Sequence, residues 1–327
     1  MRFIQWKAKC RCLNLLFTCL CIICIGTIIT LPLACQILEH SGETQQLSMA
    51  VWIAKMASLR NKSYLYSLSD FKSIADAADL PSNFTVPRNK KGLFHYELSE
   101  PDIDKLSETL QVFHKIMVKA SIGYFLYKDT LLGSYRHHSI IPWNDVINLI
   151  VHEKHKENVR DACNNTSSRH RLDISTFRYK FYDISGHVIK SYSWKSPFLD
   201  ISFYKENSTH LWDITLPSQA PYNKSDIFPL SPRPLLGHLY PGPRDPLRTL
   251  QANYNLDDCS IGGYNHTAES KKSRDQVATT RCSSLLEIVP FVQHVRGPGG
   301  AWCEEVLTYR GQTVHTFARN STHIPVC

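Results

Sequence analysis

Several of the patterns from which a function is usually read are missing from this sequence. No cysteine after residue 35 stands in a CxxC pair, and no His/Cys spacing suits zinc, which argues against a structural metal. No Ser-His-Asp or Cys-His spacing points to a hydrolase. Internal repeats and low-complexity tracts are absent too, which excludes solenoid and fibrous architectures. A strong excess of one charge is also lacking. The formal net charge of +8 includes Arg2, Lys7, Lys9 and Arg11 at the amino terminus, so the remainder is only mildly basic. That balance suits an anionic ligand without specifying one.

The four early basic residues precede an almost uncharged run from Leu13 to Cys35, and about 20 apolar residues suffice to cross a bilayer. The run is longer than the apolar region of a signal peptide, which favours an uncleaved anchor over cleavage at Leu33-Ala34-Cys35. Basic residues stay cytosolic, so the remainder of the chain is expected in the secretory lumen. Asparagine usage agrees. Asn61, Asn83, Asn164, Asn165, Asn207, Asn223, Asn265 and Asn320 all stand in Asn-x-Ser/Thr, 8 of the 15 asparagines, where ordinary composition would give roughly two or three. A luminal protein is not expected to meet nucleic acid.

In that oxidising compartment Cys259, Cys282, Cys303 and Cys327 have three possible pairings, of which we expect Cys259 with Cys282 and Cys303 with Cys327. The expected organisation is a cytosolic tail (1–12), a transmembrane signal anchor (13–35), a luminal stem (36–95), a globular domain (96–255) and a disulfide-containing extension of it (256–327).

Within the globular part, Ser99 followed by Leu106, Leu110, Phe113 and Met117 predicts a capped amphipathic helix. A strand is expected over Tyr124–Tyr127, then a helix capped by Asp129 or Thr130 with Leu131 to Ser134 as its first turn, then a strand over Trp143–Val151. A helix over His152–Cys163, a hairpin of Thr176–Tyr182 with His187–Trp194 around Ser185-Gly186, and a strand over Phe198–Tyr204 paired with Leu211–Leu216 follow. Residues 217–246 hold 8 of the 17 prolines and read as a surface connection, with a helix after it from Leu247 to Tyr254.

A strand, a short helix opening on Gly-Ser and further strands bearing acids make the layout of a nucleotidyltransferase site. Backbone N–H groups at the helix start hold phosphate, and carboxylates two apart on a strand share one face, where they hold a divalent ion. The words of this stretch, "LLGSYRHHSIIPWNDVIN", resemble the LicD/fukutin family, as do "PFLDISFY" at 197–204 and "SDIFPLSPRPLLGHLYPGPRDPLRTLQANY" at 225–254.

The resemblance implies an α+β fold, a nucleotidyltransferase-like mixed sheet flanked by helices, behind the anchor and stem. It implies a protein of the Golgi or endoplasmic reticulum membrane, single-pass type II. The implied activity moves a phosphorylated alcohol, ribitol phosphate or phosphocholine, from a CDP-linked donor to a glycan or glycoprotein with Mg or Mn, alongside other luminal transferases. Gly133 and Ser134 would then form the phosphate turn, Arg136 would orient the site, Trp143 would pack beneath it, and Asp200 would hold metal. Phe228, Pro229, Gly237 and Tyr254 would border the pocket.

The departures from the pattern raise a second expectation. The acidic positions of the family fall on Asn144, Val146 and Asn148, and strand alternation turns the one nearby carboxylate, Asp145, to the opposite face unless a bulge turns it back. Asp200 and Asp145 with the amides of Asn144 and Asn148 make a poor donor set for a hard cation. A catalytically inactive relative that binds glycan or a partner transferase is therefore the alternative. A glycosyltransferase reading of Asp102-Ile103-Asp104 is more remote, because acidic residues are expected in a helix's first turn.

Overall fold

The structure, a computed structural model, describes residues 93–165, 169–296 and 302–320. The expected tail, anchor and most of the stem, with Asn61, Asn83 and Cys327, lie outside the described residues. Among the described residues no helix is long and apolar enough to cross a membrane.

The expected first helix, α1, runs Glu100–Lys119, with Ser99 as its N-cap and Pro101 in its first turn. Leu106, Leu110, Phe113 and Met117 are fully buried on one face, each contributing about 1.5 to 3 kcal/mol. That face packs on β4 (Tyr179–Val188) and β5 (Lys195–Glu206).

Strands β1 (Tyr124–Leu126), β2 (Ile147–His152), β5, β4 and β3 (His170–Asp173) form the sheet in that spatial order, and β6 (His210–Asp213) extends it from β5 to β7 (Tyr222–Asn223). β2 runs parallel to β5, while β4 and β6 are antiparallel to it, so the sheet is mixed as expected. Helix α2 (Lys128–His137) packs over β2, and a short 3-10 turn leads into α3 (Lys156–Asn164).

Three expectations need correction. The predicted hairpin around Ser185-Gly186 is one strand, β4, whose register against β5 breaks between Tyr182 and His187. Trp143 to Val146 precede β2 rather than belonging to it, so alternation does not govern Asn144 or Asp145. Helix α2 begins at Lys128, which puts Gly133 and Ser134 in its second turn.

The proline-rich segment is also more than a surface connection. It holds the one-turn helix α4 (Lys224–Ile227) and the hairpin of β8 (Ser231–Leu235) and β9 (His238–Gly242), which buries Arg233, Leu235 and Tyr240. Leu236 and Gly237 both take positive φ at its turn. The next helix, α5, spans Pro246–Gln251, capped by Asp245.

Beyond it, β10 (Asp258–Ser260) pairs with β13 (Thr279–Arg281), and the expected Cys259–Cys282 disulfide ties their ends. The short pair β11 (Tyr264–Asn265) and β12 (Ser270–Lys271) lies between them in sequence. Cys303 is disulfide-bonded as well. The chain closes with the antiparallel sheet β14 (Phe291–Arg296), β15 (Trp302–Tyr309) and β16 (Gln312–Asn320).

Candidate functional site

Strand pairing alone builds the centre of the site. Asn148 of β2, Asp200 of β5 and Lys180 of β4 stand directly opposite one another in consecutive strands, which places them in one row on one face. Two residues along, Phe198 and Tyr182 form the next row and pack with Val146, Ile189 and Trp194 in an apolar cluster. Val146, at a family acidic position, thus lies in hydrocarbon, one row from the buried carboxylate of Asp200.

Asp200 is 1 % exposed, yet it is not short of partners. Lys180 Nζ donates to its Oδ1 at 3.0 Å and Arg178 Nη1 to its Oδ2 at 2.8 Å. Burial works against the carboxylate, but the two cations outweigh it and hold the group below the usual carboxylate range. The ammonium of Lys180 also lies 4.5 Å from the Phe198 ring centre and 5.6 Å from that of Trp194, so aromatic faces complete its surroundings.

Around this centre stand Lys128, Asp129, Asp213 and Tyr254. Arg178 Nε donates to Thr215 Oγ1 at 3.2 Å, and Thr215 donates through its N–H and hydroxyl to Asp213 Oδ1, both at 2.7 Å. Tyr254 donates its hydroxyl to Asp129 Oδ1 at 2.9 Å, and Asn144 reaches Asp129 Oδ2 at 3.5 Å.

The residues expected to form the site divide. Asp200 and Asn148 meet, and the backbone N–H of Asn148 donates to Thr130 Oγ1 at 2.6 Å. Asp145 turns elsewhere: its oxygens accept from His266 at 2.8 Å and from the N–H and hydroxyl of Thr267 at 2.8 and 3.1 Å. Burial opposes its charge, but these hydrogen bonds prevail and lower its pKa. Thr267 belongs to the sequon of Asn265, whose own amide donates to Glu97 at 2.8 Å.

Gly133 serves packing: a Cβ there would lie 2.5 Å from Ser139 O and 2.8 Å from Ile141 N. As a second-turn residue it offers no free helix N–H, so the phosphate-turn expectation for Gly133 and Ser134 is corrected. Ser134 instead accepts from Arg233 Nε at 3.3 Å. Arg136 donates to the carbonyls of Leu256 and Asp258 at 2.6 and 2.9 Å, clamping the segment before the disulfide, and Trp143 Nε1 donates to Ser260 O at 3.0 Å. Both therefore anchor the carboxyl-terminal extension to the site's scaffold rather than facing a ligand. Phe228 packs against the apolar cluster of Phe125, Tyr127 and Tyr204.

His138, in the left-handed conformation at the end of α2, opens a buried network. Its ring contacts Glu305 at 3.1 Å and His315 at 2.8 Å, and Glu305 forms a two-pronged pair with Arg233.

These residues do not fit a divalent cation. Both oxygens of Asp200 are taken by cations of the chain, Val146 is apolar, and Asp145 is committed to His266 and Thr267. Among the described residues no group of three His, Cys, Asp or Glu side chains is placed to hold a metal. Asp102 is likewise engaged, by Ser99 and His187 at 2.6 and 2.8 Å, as a helix-start residue would be. Arg178 and Lys180 were not singled out by the sequence reading. Their alternation ahead of a strand carrying an otherwise lone aspartate is the signal that would have found them.

Residues 121–245 match the family described as LicD/FKTN/FKRP, nucleotidyltransferase domain. The chain is also similar to the lipopolysaccharide cholinephosphotransferase LicD of Haemophilus influenzae, 26% identical over 121 residues, or 37% of this chain. The match spans 44% of that protein's length. Residues 121–245 are thus similar to the nucleotidyltransferase domain described for LicD/FKTN/FKRP, and the chain spans less than half the length of the curated relative it matches.

Proposed function

We propose that this is a luminal, membrane-anchored protein of glycan modification, in the Golgi or endoplasmic reticulum, that binds a phosphate-bearing ligand without transferring it. A glycan or glycoprotein is its partner class, with a CDP-linked donor as the related ligand and other luminal transferases as its working neighbours. The single observation that carries this reading is the neutralisation of Asp200 by Lys180 and Arg178. Phosphoryl transfer depends on positioning and on balancing the charge of the phosphates, and in relatives of this kind a divalent ion is expected to do the balancing. Here the carboxylate needed for that ion is satisfied by the chain itself.

The chemistry left to the residues is recognition. Arg178 is part-exposed at the edge of the site, positioned by Asp200 and Thr215 to present a planar cation to an anion. The test uses full-length protein in detergent with CDP-ribitol and CDP-choline, with Mg2+, with Mn2+ and with chelator. The expected result is no donor cleavage in any condition, whereas metal-dependent cleavage by the natural sequence overturns the binding-only reading. A double variant, Lys180→Ala with Asn148→Asp, removes the built-in ammonium and sets a second carboxylate opposite Asp200. In it alone, Mn2+ is expected to raise the melting temperature.

A further inference from the structure

We propose that the glycosylation sequon Asn265-His266-Thr267 is a structural latch, and that the docked latch withholds Asn265 from the glycan transfer that Asn207 receives. The withholding rests on the luminal placement proposed above; the latch does not.

Glycan transfer joins an asparagine Nδ2 to the anomeric carbon of a lipid-linked oligosaccharide; the lipid pyrophosphate leaves and Nδ2 gives up one proton. The product is a bulky group that needs open surface, so the acceptor must offer a free amide and, two residues on, a free hydroxyl. At Asn265 both are already spent. Its Nδ2 donates to Glu97 Oε1 at 2.8 Å, and its Oδ1 accepts from the N–H of Ala268 at 2.7 Å. The other oxygen of Glu97 is held by Lys272 Nζ at 3.2 Å, so the carboxylate that grips the amide is itself fixed. Thr267 gives its N–H and its hydroxyl to Asp145 Oδ2 at 2.8 and 3.1 Å, and His266 meets Asp145 Oδ1 at 2.8 Å. Undocking this loop would leave Asp145, 3 % exposed, as a buried carboxylate without its donors.

Chain order favours docking over transfer. Glu97 and Asp145 both precede the loop, the former by 168 residues, so both docking partners are in place to fold before the sequon emerges. Asn207 carries the same motif in the opposite state. It stands exposed between β5 and β6, where its Oδ1 accepts from the N–H groups of Thr209 and His210 at 2.9 and 2.7 Å in a local turn. Its Nδ2 has no hydrogen-bond partner among the described residues, and every partner of its side chain lies within three residues, so a glycan there breaks no long-range contact.

Full-length protein made in animal cells, enzymatically deglycosylated in heavy-oxygen water and mapped by mass spectrometry, tests the withholding. Asn207 is expected to be occupied in most chains and Asn265 about tenfold less, since charge-assisted hydrogen bonds hold the docked loop. Glu97→Ala frees the amide and leaves the sequon intact; it is expected to raise occupancy at Asn265 several-fold without changing Asn207. Thermal unfolding of protein made with glycan transfer blocked reads the latch separately. Asn265→Gln and Thr267→Val are expected to lower the melting temperature by several degrees, whereas Thr267→Ser and Asn207→Gln leave it nearly unchanged. Equal occupancy at the two sites in protein that unfolds cooperatively, or an Asn265 occupancy indifferent to Glu97→Ala, overturns the withholding. Unchanged melting temperatures in Asn265→Gln and Thr267→Val overturn the latch. If no asparagine of the chain is occupied, the luminal reading falls and the withholding with it, while the melting temperatures still decide the latch.

Discussion

A buried lysine beside a buried aspartate is two desolvated charges, and each is tolerable only while the other remains. Lys180→Met leaves Asp200 with Arg178 alone and is expected to cost about 3 kcal/mol, whereas Lys180→Met combined with Asp200→Asn should cost clearly less, because no orphan charge remains. Urea denaturation of the natural protein, Lys180→Met, Asp200→Asn and the double variant checks this, and additive losses would show that the pair is not coupled. At this scale the sequence was only partly legible. Asp200 could be marked from a motif, but its partners lie 20 and 22 residues away, and only strand register brings them opposite it. The commitment of Asp145 was not legible either, because it precedes the strand, where alternation does not hold, and the loop that claims it is more than 120 residues distant.

Among the elements, α1 and the strand around Asp200 were legible because their apolar spacing is local, and so was the Cys259–Cys282 link. The start of α2 was not. A capping signal at Asp129 or Thr130 is plausible by residue type, but the chain turns two residues earlier through a lysine with positive φ, which no propensity favours. That early start fixes the role of Gly133, where the segment 139–141 crosses the helix within backbone contact. Gly133→Ala should therefore destabilise the protein by about 1 to 3 kcal/mol, despite alanine's higher helix propensity. Thermal unfolding of this variant decides it, since an unchanged or raised midpoint would mean that the crossing segment yields freely.

Over the whole molecule, acid is the expected weakness. His114, His137 and His315 are brought down to about 4, about 3 and about 3, chiefly by burial. In the unfolded chain each accepts a proton near pH 6.5, so below that value the unfolded state binds more protons and stability falls with pH. Stability is full above about pH 6.5 and is lost progressively toward the folded values, by about 4 kcal/mol for the three together at pH 5.5. Denaturant midpoints at pH 7.5 and 5.5 measure this, and equal midpoints would contradict it. The same network also bears on the limits of the matched stretch. Arg233 lies inside the matched stretch 121–245, with no exposed surface, and its counter-charge Glu305 lies 72 residues later, outside that stretch. The stretch that matches the family model is therefore not a self-contained unit of folding in this chain, and a chimera that exchanges 121–245 must keep the Arg233–Glu305 pair together.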